Sequence, residues 1–344
     1  MNAVKLPPNQ LHHFYRGGEA IARFRGTAFD DEYAPEDWVG STAALFGENG
    51  RGLSTLPDGR LVRDAILADA DDFLGPAHTA RYGPESALLV KLLDAGERLP
   101  VHAHPDRAFA HRHLGLNHGK TEAWLIVETR GARATVRLGF AEDVNPPELA
   151  DWVERQERER MLEALNELEV EAGDCIFVPA GIPHAIGEGI FLVELQEPSD
   201  LSVLLEWRGF QVNGARDGHL GLGFDVALGC VRHAAVSTDE LARLVRKTAA
   251  MPETRPGVRS LLPRDANAFF RAERLQPRPA VSLEPAFTIL VVVDGDGQLQ
   301  TENGGALRLS RGETALVPYT AGSGELTGAV DAIRCLPPRA EDGE

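Results

Sequence analysis

The 344-residue sequence is 43% hydrophobic and 6% aromatic and carries a formal net charge of -17 at pH 7. That size and apolar share allow two cores or one large elongated one. No apolar run is long enough to cross a bilayer, and an acidic chain without a basic stripe excludes nucleic acid as the expected partner.

The N-terminal stretch MNAVKLPPNQLHHFYRGG lacks the apolar core of a secretory signal. Cys175, Cys230 and Cys335 are scattered and form no C-x-x-C, which suits reduced thiols and a cytoplasmic location. Along the chain, Val62–Leu74 reads as the first helix. The runs SALLVKLLDAG, TEAWLIVE and RATVRLGF read as strands. Leu149–Leu168 has apolar residues at helical spacing. DCIFVPAG, IFLVELQ and LSVLLEW return to strand composition. A third helix is expected over Ser237–Ala250, with Ser237 or Thr238 as N-cap. A proline-rich stretch from Met251 to about Pro263 precedes three further strand runs: FFRAERL, FTILVVVDGDGQL and ALRLSRGETALVP. Short strands punctuated by turns predict a sandwich or barrel. The expected division is a first β domain at 1–235, a helix and linker at 236–264 and a second β domain at 265–344. Gly173-DCIFV-Pro179 and Gly312-ETALV-Pro318 share G-x5-P, but only the first is followed by a histidine. The second is expected to be a structural twin without a site.

The chain has 11 histidines, and two of them, His102 and His104, stand two apart in LPVHAHPD. On a strand they share a face. They complete G-x5-H-x-H from Gly96, and His184 completes G-x5-P-x-G-x2-H from Gly173. Glu122 lies between the two motifs. Three neutral imidazoles and one carboxylate suit Zn²⁺, Fe²⁺ or Mn²⁺, so His102, His104, Glu122 and His184 are the candidate ligands. His111 and His113 are also H-x-H, but RAFAHRHLGL reads as helix or loop, where i and i+2 do not face each other. His12, His13, His219 and His233 carry no partner pattern.

Lys120 and Glu122 are again two apart, so Lys120 is expected in the same cavity, placed to move a proton. Lys91 stands in ALLVKLL among apolar residues, where a charge needs a partner or a task.

The two histidine motifs resemble those of the cupin barrel. The Lys-x-Glu, the run PAGIPHAIGEGIFLVELQEPSD, and the earlier YRGGEAIARFRG and PEDWVGS resemble class I (type I) mannose-6-phosphate isomerase. The likeness runs in order from about residue 14 to 232 and continues weakly to the C-terminus. It implies a mainly β protein of two cupin-type jelly-roll barrels, the C-terminal one degenerate, with a few short helices. It implies the four metal ligands above, zinc as the first choice of ion, and a sugar site lined by Lys91, Lys120 and Asp200. The implied reaction is a metal-dependent aldose–ketose isomerisation of mannose 6-phosphate and fructose 6-phosphate through a cis-enediol. Lys120 and Asp200 would be the catalytic groups and a small-molecule sugar phosphate the partner. Membrane and nucleic acid are excluded, and a monomer is compatible with the sequence.

Four departures stand out. The family usually has glutamine where His102 stands. Asn117-His118-Gly119-Lys120-Thr121-Glu122 is one residue longer than the family's Asn-His-Lys-Pro-Glu, so His118 either takes the ring-opening histidine's place or that group is absent. The family arginine after the Ser-Asp turn falls on Leu204, which leaves Arg208 as the expected phosphate contact. The large helical insertion of longer members is missing, since Val62–Leu74 is too short for it. Other readings of the same residues are a cupin acting on another sugar or sugar phosphate, a metal-dependent cupin oxygenase, and a non-catalytic sugar-binding cupin.

Overall fold

A computed structural model describes residues 1–248 and 251–341. The protein is mainly β, built from three antiparallel sheets with short helices between them. The chain opens with β1 (Val4–Lys5) and β2 (Gln10–Leu11), then α1 (Glu19–Arg25) and β3 (Glu36–Val39). Three helical turns follow: α2 (Val62–Ala68), α3 (Ala70–Leu74) and α4 (Pro76–Tyr82). The helix expected over Val62–Leu74 is therefore interrupted, at Asp69. Then come β4 (Leu89–Asp94), β5 (His102–Ala103), α5 (Arg107–Leu114), β6 (Glu122–Thr129) and β7 (Thr135–Phe140).

The single helix expected over Leu149–Leu168 is α6 (Pro146–Arg155), α7 (Arg158–Ala164) and the strand β8 (Leu165–Glu169). Gln156 ends α6 in the left-handed region at φ 56°. Beyond α7 the burial alternates residue by residue and β8 pairs with β7, so strand pairing overrides helical propensity there. The chain continues through β9 (Cys175–Val178), β10 (His184–Ile186), β11 (Ile190–Gln196), β12 (Val203–Leu204), α8 (Gly214–Asp217), α9 (Phe224–Ala227) and α10 (Thr238–Leu244). Ser237 caps α10 by accepting from the Glu240 amide. Of the helix expected over Ser237–Ala250, Ala249 and Ala250 lie outside the described residues. The remaining strands are β13 (Val245–Arg246), β14 (Glu253–Arg255), β15 (Val258–Ser260), β16 (Arg271–Leu275), β17 (Ala280–Leu283), β18 (Thr288–Thr301), β19 (Gly305–Ser310), β20 (Thr314–Val317) and β21 (Gly324–Leu336).

Two sheets enclose the first half. One runs β13-β9-β6-β11-β4-β3-β2 and the other β12-β5-β10-β7-β8. The second half is one nine-stranded sheet built on the long pair β18 and β21, whose register shifts between Val292 and Asp294. Both G-x5-P segments are strands, β9 and β20. The expected linker at 236–264 is divided between the halves: β13 pairs with β9, whereas β14 and β15 extend the C-terminal sheet. The N-terminal β1 crosses over to pair with β20. One apolar core joins the halves, with Ile126 and Phe177 in the same cluster as Leu261, Phe270 and Ile333. Among the described residues no helix is long and apolar enough to cross a membrane.

Candidate metal centre and active site

Strand register builds the site. In the five-stranded sheet His184 of β10 stands opposite His102 of β5, and Leu204 of β12 stands on the other side of His102. His104 follows β5 directly on the same face. Facing them from the seven-stranded sheet is Glu122, the first residue of β6. Two glycines permit this approach. A Cβ on Gly119 would lie 2.6 Å from the Pro105 carbonyl oxygen, where the chain leading to Lys120 passes the histidine loop. Gly181 adopts φ 85° and donates its amide to the His104 carbonyl at 2.7 Å.

The ring nitrogens of His102, His104 and His184 lie within 4.8 Å of one another. Each Nδ1 faces a backbone carbonyl: Pro100 at 2.8 Å, Leu201 at 2.7 Å and Ile182 at 2.8 Å. A carbonyl only accepts, so each imidazole carries its proton on Nδ1 and turns a bare Nε2 inward. Those lone pairs then face other lone pairs. His184 Nε2 lies 3.0 Å from His102 Nε2 and 3.3 Å from Glu122 Oε1, and His104 Nε2 lies 3.1 Å from Glu122 Oε2. His104 Nε2 and Glu122 Oε2 are buried with no hydrogen-bond partner. Converging acceptors without donors are costly in a dry interior unless a cation sits among them. The donor set therefore fits a divalent metal. Burial drives His102 and His104 well below the ordinary imidazole range, His104 to about 3, with Lys120 adding to the effect. Neutral ligand nitrogens result. Burial opposes ionisation of Glu122, but His104, His184 and Lys120 outweigh it and hold the carboxyl well below its usual range. Trp124 Nε1 fixes Glu122 by donating to Oε1 at 2.8 Å.

A cavity of about 710 Å³ opens beside the histidines. Lys120 lines it, buried, with Nζ 3.8 Å from Glu122 Oε2 and 3.5 Å from Ser202 Oγ. Asp200 also lines it and accepts the Phe46 amide at 3.2 Å. Lys91 forms part of the floor. A ladder across four strands puts Trp38, Lys91, Glu194 and Trp124 side by side. Lys91 Nζ lies 3.1 Å from Glu36 Oε2, 3.4 Å from Glu194 Oε2 and 4.7 Å from the Trp38 ring centre. Burial disfavours its ammonium, but Glu36, Glu194 and Asp200 together reverse this and raise the pKa, so Lys91 stays charged. Glu194 is pushed up by its own burial and by Glu122.

Arg208 is not among the residues that line the cavity. The strand expected over LSVLLEW shortens to Val203–Leu204, because Gln156 Oε1 captures the amides of Trp207 and Arg208 at 2.7 and 3.0 Å and bends the chain. The exposed Arg208 guanidinium donates to the Arg155 carbonyl instead, which corrects its expected place in the site. His111 and His113 are exposed on α5, as their spacing implied. His13 does line the cavity, with Nε2 3.4 Å from Glu36 Oε2. Sequence reasoning missed His13, Glu36, Trp38 and Glu194. Glu194 carries the same signal as Lys91, an ionisable residue inside an apolar strand, and that rule applied evenly finds it.

His118 turns away from the cavity. Its Nε2 lies 2.6 Å from Glu85 Oε1 and its Nδ1 3.8 Å from Glu197 Oε1. Burial opposes protonation, but the two carboxylates raise its pKa to about 9. The stabilisation from this bridge is complete below about pH 6.5, the ordinary value, and is lost as pH rises through about 9. Glu85 is 41% exposed, so the full shift is discounted for solvent screening to about 2 kcal/mol. In denaturant titrations the gap between wild type and His118→Gln is expected to be about 2 kcal/mol near pH 6 and to close by about pH 10. A gap independent of pH would contradict the charged bridge.

No family model matches the chain. It is 26% identical over 323 residues to mannose-6-phosphate isomerase ManA of Bacillus subtilis, an alignment covering 92% of this chain and 93% of that one. It is 30% identical over 195 residues to a mannose-6-phosphate isomerase of Streptococcus mutans, covering 56% of this chain and only 57% of the relative. Among solved structures, the mannose 6-phosphate isomerase of Bacillus subtilis superposes with a TM-score of 0.77 at 21% identity, covering 97% of this chain and 99% of that one. A point mutant of the phosphomannose isomerase from Salmonella typhimurium gives 0.74 at 15% identity, covering 98% and 100%. The likeness to class I mannose-6-phosphate isomerase carried by the motifs thus extends along almost the whole chain, in its sequence and in its mainly β fold.

Proposed function

We propose that the chain is a metal-dependent aldose–ketose isomerase that interconverts mannose 6-phosphate and fructose 6-phosphate. The observation that carries this reading is a cation-demanding His102, His104, His184 and Glu122 cluster, placed at one wall of a cavity that also holds Lys120 and Asp200. Relatives named for the same reaction support it.

Zinc suits three imidazoles and a carboxylate best, and the same donors accept Fe²⁺ or Mn²⁺. Bound there, the ion would supply Lewis-acid polarisation of the sugar oxygens. The remaining chemistry belongs to the chain. A base removes the proton from C2 of the open-chain aldose while O1 is protonated, giving the cis-enediol. Returning a proton to C1 with loss of the O2 proton gives the ketose, and no external oxidant or reductant is needed. Lys120 is the group placed to carry the proton, since its Nζ stands between Glu122 and Ser202 at the metal wall. Asp200, which lines the same cavity, is the second acid–base group. Lys91, held charged between Glu36 and Glu194, offers a fixed donor to a sugar hydroxyl at the floor. The three cysteines are free thiols, which agrees with work in the cytoplasm.

The test is a coupled assay on protein of measured metal content. Fructose 6-phosphate is expected from mannose 6-phosphate, with activity lost on chelation and restored by Zn²⁺, Fe²⁺ or Mn²⁺. Metal-replete protein that leaves mannose 6-phosphate unchanged would refute the reading.

A further inference from the structure

Both lysines inside the cavity stand against carboxylates. Lys91 sits between two carboxylates and Lys120 beside Glu122. Leu204, directly opposite His102 in the ladder, gives that wall an aliphatic surface. A phosphate monoester entering this cavity needs another cation, and in a chain of net charge -17 that cation must be local.

Two arginines stand at the cavity's edge. Arg216 lies on α8, and Arg51 lies on the loop that carries Phe46. Both are exposed, with 76% and 44% of their side-chain surface open, and each pairs with a carboxylate close by in sequence. Arg216 grips Asp217 through Nε and Nη2, both at 2.8 Å. Arg51 holds Glu48 and also donates to the His12 carbonyl at 2.9 Å. Exposed pairs of this kind contribute little in water, so a doubly charged phosphate can displace the carboxylate and take the guanidinium fork.

Both guanidiniums are carried on positioned backbone. The amide of Leu204 donates to the Gly218 carbonyl at 2.8 Å, which ties the Arg216 turn to the strand beside the metal histidines. Gly214, at the start of that turn, packs so closely on Trp207 that a Cβ would lie 2.3 Å from the ring. The loop bearing Arg51 is pinned at two points. Asp200 accepts the Phe46 amide, and Leu45 donates to the Arg51 carbonyl at 2.9 Å.

We propose that Arg216 and Arg51 form the substrate's phosphate subsite, closing over the end of the sugar furthest from the metal. The assignment rests on the isomerase reading above. It gives the phosphate an anchor from the 214–217 turn, where strand β12 offers the cavity only Leu204.

The experiment compares Arg216→Ala, Arg51→Ala and Arg208→Ala with wild type. Steady-state kinetics on mannose 6-phosphate are paired with calorimetric titration of inorganic phosphate. Losing one charge-assisted contact is expected to raise KM about ten- to a hundredfold in the first two variants. kcat should change less than about threefold, and phosphate affinity should fall in parallel. Arg216→Lys should recover part of the affinity, as a point charge without the fork. Unchanged KM and phosphate binding in both Arg216→Ala and Arg51→Ala, or a loss confined to Arg208→Ala, would overturn the assignment while leaving the isomerase reading intact. A wild type that binds phosphate through these arginines yet does not isomerise mannose 6-phosphate would instead overturn the isomerase reading.

Discussion

His184→Ala is expected to lose its metal and keep its fold. The imidazole is buried at the meeting point of the site, with Nε2 within 3.3 Å of both His102 Nε2 and Glu122 Oε1. Removing it leaves two imidazoles and a carboxylate where four donors converged. Mutating an outer partner of a metal ligand typically costs about 10–100-fold in affinity, so losing the ligand itself should cost more. The strand does not depend on the ring. β10 is paired on both sides, to β5 and to β7, and Ala185 and Ile186 remain in the core. In the metal-free protein the loss of one of the opposed lone pairs offsets the cavity that the substitution leaves. Atomic emission after dialysis should show occupancy falling from near one to a small fraction. Near-ultraviolet circular dichroism and the melting temperature of the metal-free protein should stay close to wild type. Full occupancy in the variant would remove His184 from the ligand set.

The metal cluster is legible in the sequence because its information is local. His102 and His104 share a face by parity, and the turn that delivers His184 is spelled out by Pro179 and Gly181. Lys120 follows from the same parity with Glu122. The floor of the cavity is not legible in this way. Trp38, Lys91, Trp124 and Glu194 come together only through cross-strand register, and short local motifs do not set the register of strands so far apart in sequence. What the sequence does show there is the anomaly of a charge in an apolar run, plain at Lys91 and equally present, though missed, at Glu194.

The error at Arg208 has a tertiary cause. The apolar composition of LSVLLEW continues the strand, but a buried Gln156 from the far end of α6 takes the next two amides and turns the chain aside. The same Gln156 ends the helix that periodicity would have carried to Leu168. One residue with an αL backbone and a side chain of double hydrogen-bonding capacity thus displaces two expectations. Nothing in its immediate sequence, ERQERER, marks it out. Arg216 is hidden for a related reason. Its turn reaches the cavity through a backbone hydrogen bond from Leu204 to Gly218, which no side-chain pattern announces.

Lys120→Met is expected to abolish most turnover without emptying the metal site. Methionine keeps the length and bulk of the lysine stem in a buried position and removes only the ammonium group. Two roles are open to that group. As a structural partner of Glu122 at 3.8 Å, its loss would leave a buried carboxylate less compensated. With a divalent ion bound, however, the carboxylate has a stronger partner than the lysine, so metal affinity should hold. As the proton carrier between C1 and C2, its loss should lower kcat by about 10²–10⁴, the usual contribution of a positioned acid or base. Metal content, melting temperature and the KM for mannose 6-phosphate separate the two roles. The proton-transfer role predicts a large fall in kcat with all three close to wild type. It also predicts that solvent deuterium enters the product more slowly in proportion. A variant that turns over within about threefold of wild type would remove Lys120 from the chemistry, and one that is inactive because its metal is gone would make it a support for Glu122.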